Sequence, residues 1–262
     1  MHDSHPLASP PALLRAEHLC KSFGGLRAID QASIDVARGS ITGLIGPNGA
    51  GKTTLFSLLS MFLRPDRGQV ILDGEPLHHL QPHQIAQRGM VRTFQVARVL
   101  SRLSVLENML LGAQQQTGEV FWHVWLQPRQ VAAEEREFRD RAWAILNSVG
   151  LAEKAQDYAG ALSGGQRKLL ELARVMMARP KLVLLDEPAA GVNPTLINQI
   201  CDHILDWNQQ GITFLVIEHN MDVIMSLCDR VWVLAEGRNL ASGTPAEVQQ
   251  NPAVLAAYLG QD

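Results

Sequence analysis

Apolar residues along this chain fall into two kinds of run. Short apolar stretches bounded by turn residues predict strands, and longer stretches with apolar residues at helical spacing predict helices. Residues 13–19 and 32–36 read as strands, with turn signals at Gly24-Gly25 and Arg38-Gly39. Residues 70–72 read as a third, closed by Asp73-Gly74. These three predict a small, largely antiparallel sheet around the strand at 41–45. Residues 182–187 and 213–217 are strands of the buried type, 90–95 a short strand, and 231–234 and 239–241 two more. Helical patterns follow at 55–59, after Ser104-Val105-Leu106-Glu107, at 132–149, at 167–178, after Thr244-Pro245 and at 254–259. In the 132–149 helix Glu134, Glu135, Arg136 and Glu137 form the wet face, and Phe138, Trp143, Ile145, Leu146 and Val149 the apolar one. The alternation of strand and helix predicts an α/β fold with a mainly parallel core sheet. Residues of about 97–160 read as a helical subdomain inserted into that core. Within it, residues 118–128 break the pattern. Trp122 and Trp125 there serve either local packing or contact with a partner or lipid headgroups.

Composition narrows the function classes. The 262 residues fit one large domain or two small ones. Lysine and arginine number 23 against 26 acids, a net charge of −3, so no basic surplus points to nucleic acid. Cys20, Cys201 and Cys228 are scattered without a CxxC, which suggests neither a zinc knuckle nor a disulfide framework. No apolar run reaches the length of a membrane span. Residues 1–12 read as a disordered lead before a domain at 13–262 whose C-terminal extension begins near 244. A cytosolic protein is expected, with any membrane role exercised through partners.

The chemistry is concentrated at Gly46-Pro47-Asn48-Gly49-Ala50-Gly51-Lys52-Thr53-Thr54, between a strand and a helix. That order is the context a phosphate-binding P-loop requires. Glycines let successive N–H groups turn toward one anion, and the helix adds its positive end. Lys52 supplies a mobile charge for the β- and γ-phosphates, and Thr53 a hydroxyl for Mg²⁺. Leu162-Ser163-Gly164-Gly165-Gln166 opens a second helix, either as a second anion site by the same physics or as a plain capped helix. The strand at 182–187 ends in Asp186 and Glu187. After a P-loop, the first acid suits Mg²⁺ through water and the second suits an attacking water; the alternative is a pair of acids that cap the next turn. Phe23 is either core packing or a face for a purine. His219, after the 213–217 strand, is either a surface residue or within reach of a γ-phosphate. His78, His79 and His83 lie in a polar, proline-containing stretch with no acid or thiol beside them, which reads as solvated rather than metal-binding.

In this order the motifs resemble the nucleotide-binding subunit of an ABC transporter, over nearly the whole chain from about Leu13. The resemblance implies a P-loop NTPase core with an antiparallel β subdomain and an inserted helical subdomain. It implies ATP and Mg²⁺ as ligands. Phe23 becomes the adenine platform, and Gly46, Asn48, Gly49, Ala50, Gly51, Lys52, Thr53 and Thr54 the phosphate loop. Gln95 contacts Mg²⁺ and the attacking water, Asp186 supports Mg²⁺, Glu187 is the general base and His219 steadies the γ-phosphate. Ser163, Gly164, Gly165 and Gln166 form the signature that covers ATP held by a second ABC ATPase subunit. Further stretches resemble the branch serving branched-chain and other hydrophobic amino-acid importers: Val91-Arg92-Thr93-Phe94-Gln95, Asp186 to Pro194, Ile217 to Met221, and Gly243 to Gly260. Asn193 stands where ABC proteins usually carry aspartate, and Asn220 likewise beside the switch histidine. The resemblance implies transmembrane permease partners, an indirect periplasmic binding protein, and a peripheral place on the cytoplasmic face of the inner membrane. ATPases of urea uptake or lipopolysaccharide export are the alternative. Soluble ABC ATPases of translation or repair carry tandem cassettes, coiled coils or zinc cysteines that this sequence lacks.

Overall fold

The computed structural model describes residues 11–93, 99–113 and 128–259. The strands are β1 (Ala12–Phe23), β2 (Leu26–Ala37), β3 (Ile41–Ile45), β4 (Arg67–Leu72), β5 (Glu75–Pro76), β6 (Met90–Arg92), β7 (Leu182–Asp186), β8 (Thr213–Ile217), β9 (Arg230–Ala235) and β10 (Arg238–Gly243). The helices are α1 (Lys52–Leu59), α2 (Pro82–Gln87), α3 (Val105–Leu110), α4 (Pro128–Ser148), α5 (Gly164–Met176), α6 (Pro194–Gln209), α7 (Met221–Leu227), α8 (Pro245–Gln249) and α9 (Pro252–Leu259). They form two compact units, one made of the chain up to Leu80 and from Asp206 onward, the other Gln81–Leu205.

The first unit holds two sheets. An antiparallel sheet runs β2-β1-β4-β5, with Leu14 opposite both Val36 and Leu72. The predicted small sheet is therefore present, but the strand at 41–45 is not its centre. β3 instead pairs in parallel with β8 and β9 (Leu44 opposite Ile217 and Trp232), and β10 closes the edge antiparallel to β9. All five residues of β3 are buried. A strand covered on both faces has no exposed polar side, which fits its mostly apolar run; the one polar side chain, Thr42, is buried with its hydroxyl 3.3 Å from Ser40 Oγ. Gly43 is needed there for packing: a Cβ would lie 3.0 Å from Cys228 Sγ and 3.1 Å from Ile224 Cδ1, so α7 and its end press directly on the strand. On α1, Leu55, Phe56, Leu58 and Leu59 are fully buried and anchor the helix that follows the P-loop. β1 and β2 each run twelve residues, longer than the seven- and five-residue stretches that announced them. The turn-side ends, Ser22-Phe23 and Leu26-Arg27, are exposed, while Ile29 and Asp30, ahead of the stretch at 32–36, are buried.

In the second unit β6 and β7 pair in parallel, with Arg92 opposite Leu184. Ser104 caps α3 through a capping box with Glu107. Asn108, fully buried, wires the preceding turn: its Oδ1 accepts from Leu100 N, and its Nδ2 donates to Leu100 O and Ser104 O. On α4, Ala142, Leu146 and the following Val149 are the core positions, while Trp143, expected on the apolar face, is 38% exposed. Successive positions turn through a large angle on a helix, so Ala142 and Trp143 cannot share one narrow face. α5 starts at Gly164, not at 167, because Ser163 caps it and the two glycines already lie in its first turn. The pattern break with Trp122 and Trp125 lies outside the described residues.

Replacing Phe56 with alanine is expected to lower stability by about 3–5 kcal/mol, since a large side chain leaves a cavity beneath the P-loop helix. Thermal or denaturant unfolding checks it; a loss within 1 kcal/mol, on the order of a surface substitution, would contradict the packing described.

Candidate functional site

The P-loop is built by backbone geometry that only glycine tolerates. Gly46, Gly49 and Gly51 have φ of 153°, 76° and 96°. At Gly46 a Cβ would lie 2.1 Å from Leu234 O, and at Gly51 2.7 Å from Ala28 O. At Gly49 nothing lies within 4 Å, so its demand is conformational only. The loop is also held from outside: Gly237 N donates to Ala50 O at 3.0 Å, and Asp30 N donates to Gly237 O at 2.8 Å. The turn that provides Gly237 includes Glu236 in the left-handed region at φ 48°. Asp30 is held by Arg27 and Arg238, and the Arg238 hydrogen bond, opposed by burial, keeps its carboxyl below the usual range. At the far end of the chain Tyr258 reaches the same loop. Burial pushes its phenol up, and a hydrogen bond with the Gly46 backbone opposes that. Neither the Glu236-Gly237 turn nor Tyr258 was legible as a site residue.

Lys52 is buried at 7% exposure, and its Nζ donates to Gly46 O at 2.7 Å and Pro47 O at 2.9 Å. These two carbonyls fold the lysine over the loop that the anion would occupy, so the charge is already placed. Thr53 is exposed beside it and Thr54 half-buried; Asn48 is exposed and Ala50 buried. Phe23 closes β1 at 50% exposure with the Lys21 ammonium 5.9 Å from its ring centre. That exposure excludes the core-packing reading and leaves an open aromatic face. In the same unit His219 follows β8 and is exposed. Asn220 caps α7, accepting from Asp222 N at 2.9 Å, a task aspartate or asparagine performs equally.

The second unit holds the other predicted residues. Asp186 ends β7, and Arg92 Nη2 lies 3.2 Å from its Oδ2. Burial pulls the Arg92 guanidinium below its usual pKa, and the Asp186 charge opposes this. Thr93 N donates to Leu184 O at 2.8 Å. Glu187 breaks the strand with φ 49°, and Ala190 N donates to its carbonyl at 3.0 Å. A non-glycine residue in that conformation is strained, and such strain collects at functional positions. Gln95 lies outside the described residues.

Ser163 Oγ accepts from Gln166 N at 3.2 Å, and Gln166 Oε1 accepts from Ser163 N at 3.0 Å. The capped-helix reading is thus true of Ser163, and accepting still leaves its hydroxyl a proton to donate. Gly165 has a packing reason, since a Cβ there would meet Leu196 Cδ2 at 2.7 Å. Gly164 has neither: nothing lies within 4 Å and its φ is not positive. A glycine that the fold does not require fits a backbone that something outside the chain approaches closely. Both glycines line a groove of ≈ 710 Å³ together with Ala190, Gly191 and Asn193. Asn193 Oδ1 accepts from Leu196 N at 2.9 Å and so caps α6.

His78, His79 and His83 are all exposed, and among the described residues no cluster of three or more metal-ligating side chains occurs. The oxygen donors present, the Thr53 hydroxyl and the Asp186 carboxylate, are of the hard type Mg²⁺ prefers. Mg²⁺ takes few protein ligands beside substrate phosphates and water, so each of the two is, by its own chemistry, a donor of the right type.

Residues 29–190 match the ABC transporter family. The chain belongs to the ABC transporter family. It has the ABC ATPase fold, binds nucleotide, and acts as an ATPase that serves a membrane transporter. Residues 238–262 match a second family, the branched-chain amino acid ATP-binding cassette transporter. Relatives include the high-affinity branched-chain amino acid transport ATP-binding protein LivG of Salmonella typhimurium, 40% identical over 95% of this chain and 98% of its own length. The probable LivG of Archaeoglobus fulgidus is 39% identical over 95% of each chain. An ABC transporter cassette solved in its ADP conformation superposes with a TM-score of 0.83 at 36% identity, covering 96% of this chain and 100% of that one. Among the described residues of this ABC ATPase no helix is long and apolar enough to cross a membrane.

Gly51→Ala is expected to abolish binding of a fluorescent ATP analogue, because both conformation and the Ala28 carbonyl forbid the new Cβ. Gly49→Ala meets only the conformational cost, about 1–2 kcal/mol, and is expected to retain weakened binding. Equal losses in the two variants would contradict the close approach of β2 to the loop.

Proposed function

We propose that this chain is the ATP-hydrolysing subunit of an importer for branched-chain or other hydrophobic amino acids. The carrying observation is the pairing of a phosphate loop with a signature helix whose Gly164 has no structural reason inside the chain. The amino-acid branch is supported by the match of residues 238–262 and by the names of relatives near 40% identity.

The reaction is attack of water on the γ-phosphorus of ATP. Phe23 stacks the adenine, and the amides of Gly46 to Thr54 with Lys52 neutralise the phosphates. Glu187 takes the proton of the attacking water, and His219 steadies the γ-phosphate. Thr53, Gln95 and Asp186 are the residues that hold Mg²⁺, which when bound draws charge from the β- and γ-phosphate oxygens. Ser163, Gly164, Gly165 and Gln166 act on ATP held by a second cassette, so closure and hydrolysis alternate two states of the pair. That second cassette is either another copy or a related subunit. The helical subdomain, about residues 97–160, receives the permease at the cytoplasmic face of the membrane, and a periplasmic binding protein supplies the substrate from the far side.

Glu187→Gln is expected to reduce turnover by at least two to three orders of magnitude, about the scale of a general base, while preserving or strengthening an ATP-held dimer. Steady-state phosphate release and light scattering check it, and unchanged turnover removes Glu187 as the base. The importer assignment is tested by purification from membranes: co-purification with permease subunits and ATPase stimulation by a loaded amino-acid binding protein are expected. Absence of both would overturn it.

A further inference from the structure

Arg92 ends β6 with a side chain only 2% exposed, and Asp186, its ion-pair partner two residues beyond the Leu184 that faces it on β7, is 18% exposed. A buried cation of this kind is costly unless an anion faces it. One explanation is a plain strut between two strands. The strands need none: three consecutive residue pairs already join them, and Thr93 adds a backbone bond to Leu184 O at 2.8 Å. Thr93 Oγ1 also lies 3.4 Å from Asp186 N, so the backbone of Asp186 is fixed as well. A packed apolar side chain would serve a strut as well as an ion pair, or better. What the guanidinium adds is control of one carboxylate oxygen.

We propose that Arg92 is a positioning residue for Asp186: by holding Oδ2 it decides which carboxylate oxygen is left to serve Mg²⁺. The proposal rests on the reading that Asp186 serves Mg²⁺. Groups that hydrogen-bond a metal-serving carboxylate typically control metal affinity by ten- to a hundredfold. The role is sequence-local too, since Arg92 stands three residues before Gln95.

The test uses the full-length chain with R92Q, R92K and D186N. The readouts are Mg²⁺ titration of a bound fluorescent ATP analogue, Mn²⁺ binding by electron paramagnetic resonance in the presence of ATP, and nucleotide affinity in EDTA. R92Q is expected to raise the metal concentration for half-saturation roughly tenfold while leaving affinity in EDTA unchanged. R92K keeps the charge but loses the fork, and is expected to shift roughly threefold in the same direction. It keeps the proposal testable if R92Q fails to fold. Metal affinity that is unchanged or tighter in R92K overturns the proposal; tighter binding is the signature of a cation that merely repels the metal. D186N separates the two readings. If it leaves metal affinity untouched, the assignment of Asp186 falls and the positioning role falls with it. If it weakens metal binding while the Arg92 variants do not, only the positioning role falls.

Discussion

The fold depends on keeping a short backbone loop turned inward around a space for phosphate. An inward-facing set of amides is not stable by itself, because neighbouring peptide dipoles repel. Here the loop is held on several sides. Gly237 N–H holds Ala50 O, Lys52 holds the carbonyls of Gly46 and Pro47, and Gly51 leaves no room between the loop and Ala28. Much of the first unit serves this constraint. β3 is buried, which fixes its end, α1 is anchored by four buried apolar residues, and the two-residue β9–β10 turn, with positive φ at both Glu236 and Gly237, sets Gly237 N–H against the loop.

The second unit solves a complementary problem. Its signature helix begins with a closed capping box, which satisfies the serine locally, and with a glycine whose surroundings are open. A helix start of this kind can stabilise an anion, and the same chain also carries a loop of the phosphate-binding type. Two phosphate-directed features in one polypeptide make physical sense when each completes a site begun on another polypeptide. The same unit holds the paired acids, Glu187 strained just after β7 and Asp186 held by Arg92.

Much of this was legible in the sequence because it rests on local rules. The P-loop, the signature and the paired acids each announce themselves through residue types at fixed spacing between a strand and a helix. Buried strands such as Leu182–Asp186 were legible because covering both faces leaves a run of apolar residues, here Leu182 to Leu185. The misses have physical reasons as well. The full length of β1 and β2 was hidden because the ends beside their turn are exposed and because the buried pair Ile29-Asp30 mixes an apolar with a charged residue. Trp143 was misplaced because it was grouped with the other apolar residues of its helix, whereas the buried stripe runs through Ala142, Leu146 and Val149. Arg92, the Glu236-Gly237 turn and Tyr258 were invisible as site residues because their roles arise from contacts between distant segments. Asn193 and Asn220, departures from the usual aspartate, prove to be helix caps, a role that needs an oxygen acceptor and no charge.

The central claim is that one chain owns two incomplete halves of an ATP clamp. The direct test is ATP turnover per chain measured across a wide range of cassette concentration, alone and with its partner cassette, alongside the molar mass of the species present with ATP. The account predicts that turnover rises with the population of a two-cassette species and vanishes as that species dissociates. Full turnover by a chain that remains monomeric throughout would contradict it.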